Sequence, residues 1–130
     1  MKTINYGRGY AYSIEYHIVW CVKYREIISL HGVEDLLQKI IQKIANDNGF
    51  EIFEIKIATD SVYLCIGCNP QQSIPTMIKA LKGVSARLLL QSNPELGMNG
   101  SLWKPSYFVA TMSNHLEQQI SEYIQKEFKK

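Results

Sequence analysis

Between Tyr12 and Tyr24 every even-numbered residue is large: Tyr12, Ile14, Tyr16, Ile18, Trp20, Val22 and Tyr24. A period of two places alternate side chains on one side of an extended chain. Aromatic and β-branched residues suit such a pleated, half-buried surface. The segment therefore predicts a long strand with one buried face, which needs neighbouring strands and a covering layer.

The remaining sequence supplies both. Val33, Leu36, Leu37, Ile40, Ile41, Ile44 and Ala45 recur at helical spacing, with Glu34 and Asp35 suited to the helix start and Asn48-Gly49 to its end. Residues 50–59 and 61–68 read as a second and a third strand, with a turn near Thr59-Asp60. Ser73 as N-cap and Pro75 in the first turn open a second helix, with Met77, Ile78, Leu81, Val84, Leu88 and Leu89 facing inward. Residues 97–105, with two glycines and a proline, predict a loop, and residues 106–112 a fourth strand. A last helix is expected from near Asn114, carrying Leu116, Ile120, Tyr123 and Ile124 on one face. The order strand, helix, strand, strand, helix, strand, helix predicts an α+β fold. Its form is a ferredoxin-like antiparallel sheet with helices packed on it.

A chain of 130 residues fits one domain, 1–130, and can bury a core without disulfides or metal. Its apolar runs are too short to span a bilayer, and the Met1-to-Gly7 segment lacks the apolar core of a signal peptide. The expectation is a cytoplasmic protein with no membrane partner. Cys21, Cys65 and Cys68 are an odd set, which argues against a disulfide framework. Cys65 and Cys68 form a CxxC, but no second CxxC or paired histidine completes a zinc site, so buried free thiols are expected. His17 lies within a strand and reads as structural. His31 and His115 lie near predicted helix starts, and neither reads as a metal ligand.

The net charge of +2 is too small to imply a nucleic-acid partner, but its distribution is uneven. No acidic residue lies between Asp60 and Glu95, where Lys79, Lys82 and Arg87 fall. Lys23, Arg25 and Lys104 are weaker candidates for the same role. Such residues would contact phosphates, positioning a backbone without reading sequence, and binding would be salt-sensitive. A solvated helix face explains the same pattern equally well.

Four segments carry a family resemblance. They are Tyr16-His17-Ile18-Val19-Trp20-Cys21-Val22-Lys23-Tyr24-Arg25, Asp60-Ser61-Val62-Tyr63-Leu64, Ile78-Lys79-Ala80-Leu81-Lys82-Gly83-Val84-Ser85-Ala86-Arg87, and Leu102-Trp103-Lys104-Pro105-Ser106-Tyr107-Phe108-Val109-Ala110-Thr111. In this order they resemble the single-tyrosine HUH transposases of small bacterial insertion sequences, the IS200-like family. The resemblance implies a ferredoxin-like fold, a dimer formed by joining sheets, and recognition of a hairpin in single-stranded DNA. It implies a tyrosine on the last helix that attacks a DNA phosphate and becomes covalently linked to it, that helix completing the partner subunit's site. It also implies magnesium or manganese held by two histidines and a glutamine.

Transferred residue by residue, the resemblance makes Tyr123 the nucleophile position. Glu127 takes the place of the glutamine and could still offer an oxygen to magnesium. Ser61 and Tyr63 stand where the family has its histidines. Strand periodicity keeps the two on one face, but neutral hydroxyls are weak metal ligands near pH 7. Tyrosine, with a pKa of about 10, is a feeble nucleophile without help. DNA cleavage is therefore expected to be absent or very weak. The rival readings are an active transposase with a rebuilt metal site drawing on Glu127, Asp60 and a histidine from elsewhere, a regulatory binder of DNA or RNA without catalysis, and a structural dimer. On its own, Tyr123 also reads as a core residue beside Leu116 and Ile120.

Overall fold

The computed structural model describes residues 4–97, 100–112 and 114–129. The chain opens with a short antiparallel hairpin, β1 (Asn5–Gly7) and β2 (Tyr10–Tyr12). There follow β3 (Ile14–Cys21), α1 (Glu34–Asn48), β4 (Glu51–Ile57), β5 (Ser61–Cys68), α2 (Ile74–Ser92), β6 (Phe108–Ala110) and α3 (Leu116–Glu127). The main sheet has the order β4-β5-β3-β6 and every pairing in it is antiparallel. This is the ferredoxin-like arrangement, with the long strand of the sequence at its centre.

The alternation read from the sequence decides which residues face which layer. Ile18, Trp20, Val22, Val62, Leu64, Ile66 and Cys68 join Leu37, Ile41, Ile44, Met77, Leu81 and Leu89 in the core. Thus α1 and α2 cover one face of the sheet. Within this core Trp103 meets Trp20 edge-on, with ring centroids 5.8 Å apart and planes at 80°. Its indole N–H donates to Ser85 Oγ at 3.1 Å. Ser73 caps α2 as its sequence position suggested, accepting from the Thr76 N–H at 3.2 Å.

Several boundaries differ from the sequence expectation. The long strand ends at Cys21, because Val22 N–H turns to the Asp60 carbonyl and Lys23 N–H to the Leu102 carbonyl. Val22 keeps only an isolated bridge to Trp103. At the other end Tyr12 belongs to the separate hairpin, where its ring packs 5.9 Å from that of Tyr10. The fourth strand pairs with β3 only over Phe108–Ala110, and α3 begins at Leu116 rather than at Asn114. The β4–β5 register slips between Ile52 and Glu54, leaving Phe53 at a bulge. The Phe53 ring lies over Gly67 so closely that a β-carbon there would come within 2.6 Å of it.

Candidate functional site

The second face of the sheet carries the odd-numbered residues of β3 and β5. Register pairs Cys21 with Ser61, Val19 with Tyr63 and His17 with Cys65. Helix α3 of the same chain lies on this face. Tyr123 packs its ring 5.8 Å from that of Phe108, and a cleft of about 650 Å³ runs between Glu54, Lys56 and Tyr63 on one side and Ile120, Ile124 and Gln125 of α3 on the other.

Tyr123 and Glu127 are one helical turn apart and meet at one serine. Ser106 Oγ is 2.7 Å from Tyr123 Oη and donates to Glu127 Oε1 at 2.5 Å. Ser106 is itself held by α2, because Lys82 Nζ donates to the Lys104 carbonyl at 2.5 Å and to the Ser106 carbonyl at 3.1 Å. Lys104 Nζ in turn donates to the Glu127 carbonyl. The tyrosine is thus positioned by a chain of contacts running from α2 through the 104–106 loop to α3.

Electrostatics on this face favour protonated groups. Burial pushes the Tyr123 hydroxyl up to about 12, with the Glu127 and Cys21 charges adding to the effect and the Ser106 hydrogen bond opposing it. Burial likewise pushes the Cys21 thiol up to about 12, reinforced by Asp60 and Glu127 and opposed by Lys104 and Lys82. Asp60 sits in the turn before β5, with its carboxylate 3.8 Å from Arg25 Nη1. Its charge therefore acts on the Cys21 side of the sheet.

These shifts fix the sign of an alkaline response. A group whose folded pKa is raised contributes stability that is complete below its unfolded pKa and lost as pH rises through the folded value. For Cys21 the window runs from 9.0 to about 12, and for Tyr123 from 10.0 to about 12. Stability measured by urea unfolding should fall steadily between pH 9 and 12. The fall should be shallower in Tyr123→Phe; an equal slope in that variant would contradict the assignment.

Three comparisons bear on this arrangement. The model of the "Transposase IS200 like" family matches residues 10–127. The chain belongs to the IS200-like transposase family. It is similar to the ISDra2 transposase TnpA of Deinococcus radiodurans, with 42% identity over 127 residues covering 95% of this chain and 91% of that protein. It is also similar to the transposase for insertion sequence element IS200 of Salmonella typhimurium, at 24% identity over 87% of this chain and 76% of the relative. A crystal structure described as a transposase of D. radiodurans R1 superposes with a TM-score of 0.90 at 42% identity, covering 95% of this chain and 97% of that one. A REP-associated tyrosine transposase bound to a REP hairpin shares the fold, with a TM-score of 0.60 at 15% identity over 90% of this chain and 67% of that one.

The family depends on a metal ion, so the donor set at Ser61 and Tyr63 matters. Tyr63 Oη is 2.7 Å from His17 Nδ1. Burial pushes its pKa up to about 12, so the hydroxyl is neutral at pH 7. Ser61 is buried and offers only a neutral hydroxyl. Among the family's three ligand positions only Glu127 carries a carboxylate, and one of its oxygens accepts from Ser106. The family's set supplies two imidazole lone pairs at these strand positions, and neutral hydroxyls are much weaker donors near pH 7. These positions do not fit the family's metal ion.

The basic residues named from sequence divide into two groups. Lys79 and Arg87 are exposed on α2, while Lys23, Lys82 and Lys104 line a groove of about 400 Å³ beside the 101–105 loop. Arg25 and Lys104 stack over the Phe128 ring at 4.6 and 4.8 Å, next to the end of α3. The Lys82 ammonium is spent on two main-chain carbonyls, and burial lowers its pKa. Lys82→Met should therefore cost about 1–3 kcal/mol, the usual penalty for partly buried polar groups left without a donor. Urea unfolding checks this; an unchanged midpoint would return Lys82 to the phosphate-contact role.

Ser106 and Glu15 escaped the sequence reading, while His17 was read as structural and Cys21 as a buried free thiol. Strand parity from the long central segment was the available signal, since it places residues 15, 17 and 21 on the same face as 61 and 63 once β3 and β5 are paired. Ser106 had no such signal, because it lies in the loop outside β6.

Proposed function

We propose that this chain, 1–130, acts as one transposase-type domain that binds hairpin single-stranded DNA as a homodimer, with Tyr123 in the nucleophile position and strand cleavage impaired. One observation carries the reading: the Tyr63 hydroxyl, in a ligand position, is protonated and engaged with His17. With no metal to neutralise phosphate charge there, a tyrosine with pKa raised to about 12 is mostly protonated and unreactive at neutral pH. Hairpin DNA as partner is supported by family membership and by the REP-hairpin-bound tyrosine transposase that shares the fold. Lys79, Arg87, Lys23, Arg25 and Lys104 would supply backbone contacts. Dimerisation would extend the sheet from an edge strand, β4 or β6.

The test is incubation with labelled hairpin DNA and manganese, followed by denaturing electrophoresis. Binding without a covalent adduct is expected. An adduct that disappears in Tyr123→Phe would overturn the impaired-cleavage reading. Parallel filter binding on RNA hairpins separates DNA recognition from the reading of a regulatory binder of either nucleic acid.

A further inference from the structure

A cluster on the α3 face of the sheet borders Tyr63 but contains neither Tyr123 nor either of the two ligand positions of the family. Glu15, His17 and Cys65 each present one ligand-type atom, and these atoms lie within 4.8 Å of one another. His17 and Cys65 are directly opposed in the β3–β5 register, and Glu15 is two residues along the same face. Cys65 Sγ donates to Glu15 Oε1 at 2.8 Å, and the same oxygen is 4.0 Å from His17 Nε2.

The histidine makes the cluster more than a coincidence of residue types. His17 is only 5% exposed, and its Nε2 is buried without a hydrogen-bond partner. A buried ring nitrogen in that state is costly and calls for a partner. Its other nitrogen, Nδ1, is 2.7 Å from Tyr63 Oη. With Nδ1–H donating to that hydroxyl, Nε2 carries the lone pair and faces the cluster, which is the tautomer a metal needs.

We propose that Glu15, His17 and Cys65 bind a zinc-type transition metal, with Tyr63 as the positioning residue that fixes the His17 tautomer. Imidazole, thiolate and carboxylate together suit zinc or cobalt rather than magnesium. Zinc bond lengths of about 2.1 Å to nitrogen and 2.3 Å to sulfur place such atoms about 3.6 Å apart in a tetrahedron, so side-chain movements of about an ångström would close the site. Binding expels the Cys65 thiol proton to solvent and frees the Glu15 oxygen that accepts it. Thiolate and carboxylate then balance the dication, so a buried site carries no net charge. The Glu15 side chain is 16% accessible and offers the way in, with a solvent molecule in the fourth position. Cys68 faces the opposite layer, so the CxxC spacing plays no part.

The test uses the full chain, reduced and freed of metal by chelation, titrated with cobalt(II). A thiolate-to-cobalt charge-transfer band should grow to saturation at a single equivalent and vanish on adding zinc. Cys65→Ser should abolish the band, whereas Cys68→Ser should keep it. Tyr63→Phe should keep the band and weaken affinity by about 10–100-fold, the usual effect of losing an outer partner of a ligating histidine. Glu15→Gln, which conserves volume, should weaken it at least as much. No band in the parent protein, a band that survives Cys65→Ser, or unchanged affinity in Glu15→Gln would each overturn the proposal.

Discussion

Replacing Trp103 by alanine is expected to destabilise the protein by about 3–5 kcal/mol, in the range for large buried aromatic side chains. Trp103 is 6% exposed, meets Trp20 edge-on and donates to Ser85 Oγ. Its truncation opens a cavity between the sheet and α2 and removes the anchor of the 102–106 loop. Ser85 keeps its own bond to the Lys82 carbonyl at 3.2 Å, so the loss is chiefly packing. Trp103→Phe should cost much less, because most of the ring contact survives. Urea unfolding of the three proteins provides the measurement; a loss below about 1 kcal/mol in Trp103→Ala would mean that the loop does not depend on this anchor.

The second large effect concerns chemistry. Ser61→His combined with Tyr63→His should produce a manganese-dependent covalent adduct on hairpin DNA, at least about 100-fold above the parent protein. Loss of an outer partner alone typically costs 10–100-fold, and two inner ligands are at stake. Both positions already share a face with Tyr123 and Glu127, so the backbone needs no rearrangement. Imidazole at 63 replaces a hydroxyl whose pKa is raised to about 12 with a nitrogen that is largely neutral at pH 7. Tyr123→Phe in this background should remove the adduct. A folded double variant that binds the hairpin yet forms no adduct would place the deficit elsewhere, with Glu127 as the next residue to change.

The fold was legible because its signals are local and periodic. Even residues 14–20 of the central strand, the apolar spacing of α1 and the Ser73 cap each follow from backbone geometry, and each stands where it was expected, whereas Tyr12 and Tyr24 fall outside the strand. Strand ends were not legible, since Cys21 is terminated by hydrogen bonds from residues 22 and 23 to residues far along the chain. The family resemblance drew attention to Ser61, Tyr63, Tyr123 and Glu127. It could not reveal Ser106 between the last two, nor the His17 bond to Tyr63, because both depend on tertiary placement. Lys82 illustrates the opposite failure: a cation in a basic stretch of sequence turned out to hold a loop.

The bulge at Phe53 has a bearing on how such a chain can change over time. A one-residue slip of β5 would send Ser61 and Tyr63 into the core and bring Val62 out. The Phe53 ring over Gly67, together with Val62, Leu64 and Ile66 in the core, specifies the alignment at points away from positions 61 and 63. Those two sites therefore carry little responsibility for the architecture. Substitution at either position can thus leave the register of β5 intact. The scaffold is in this sense evolvable at the place where its chemistry resides.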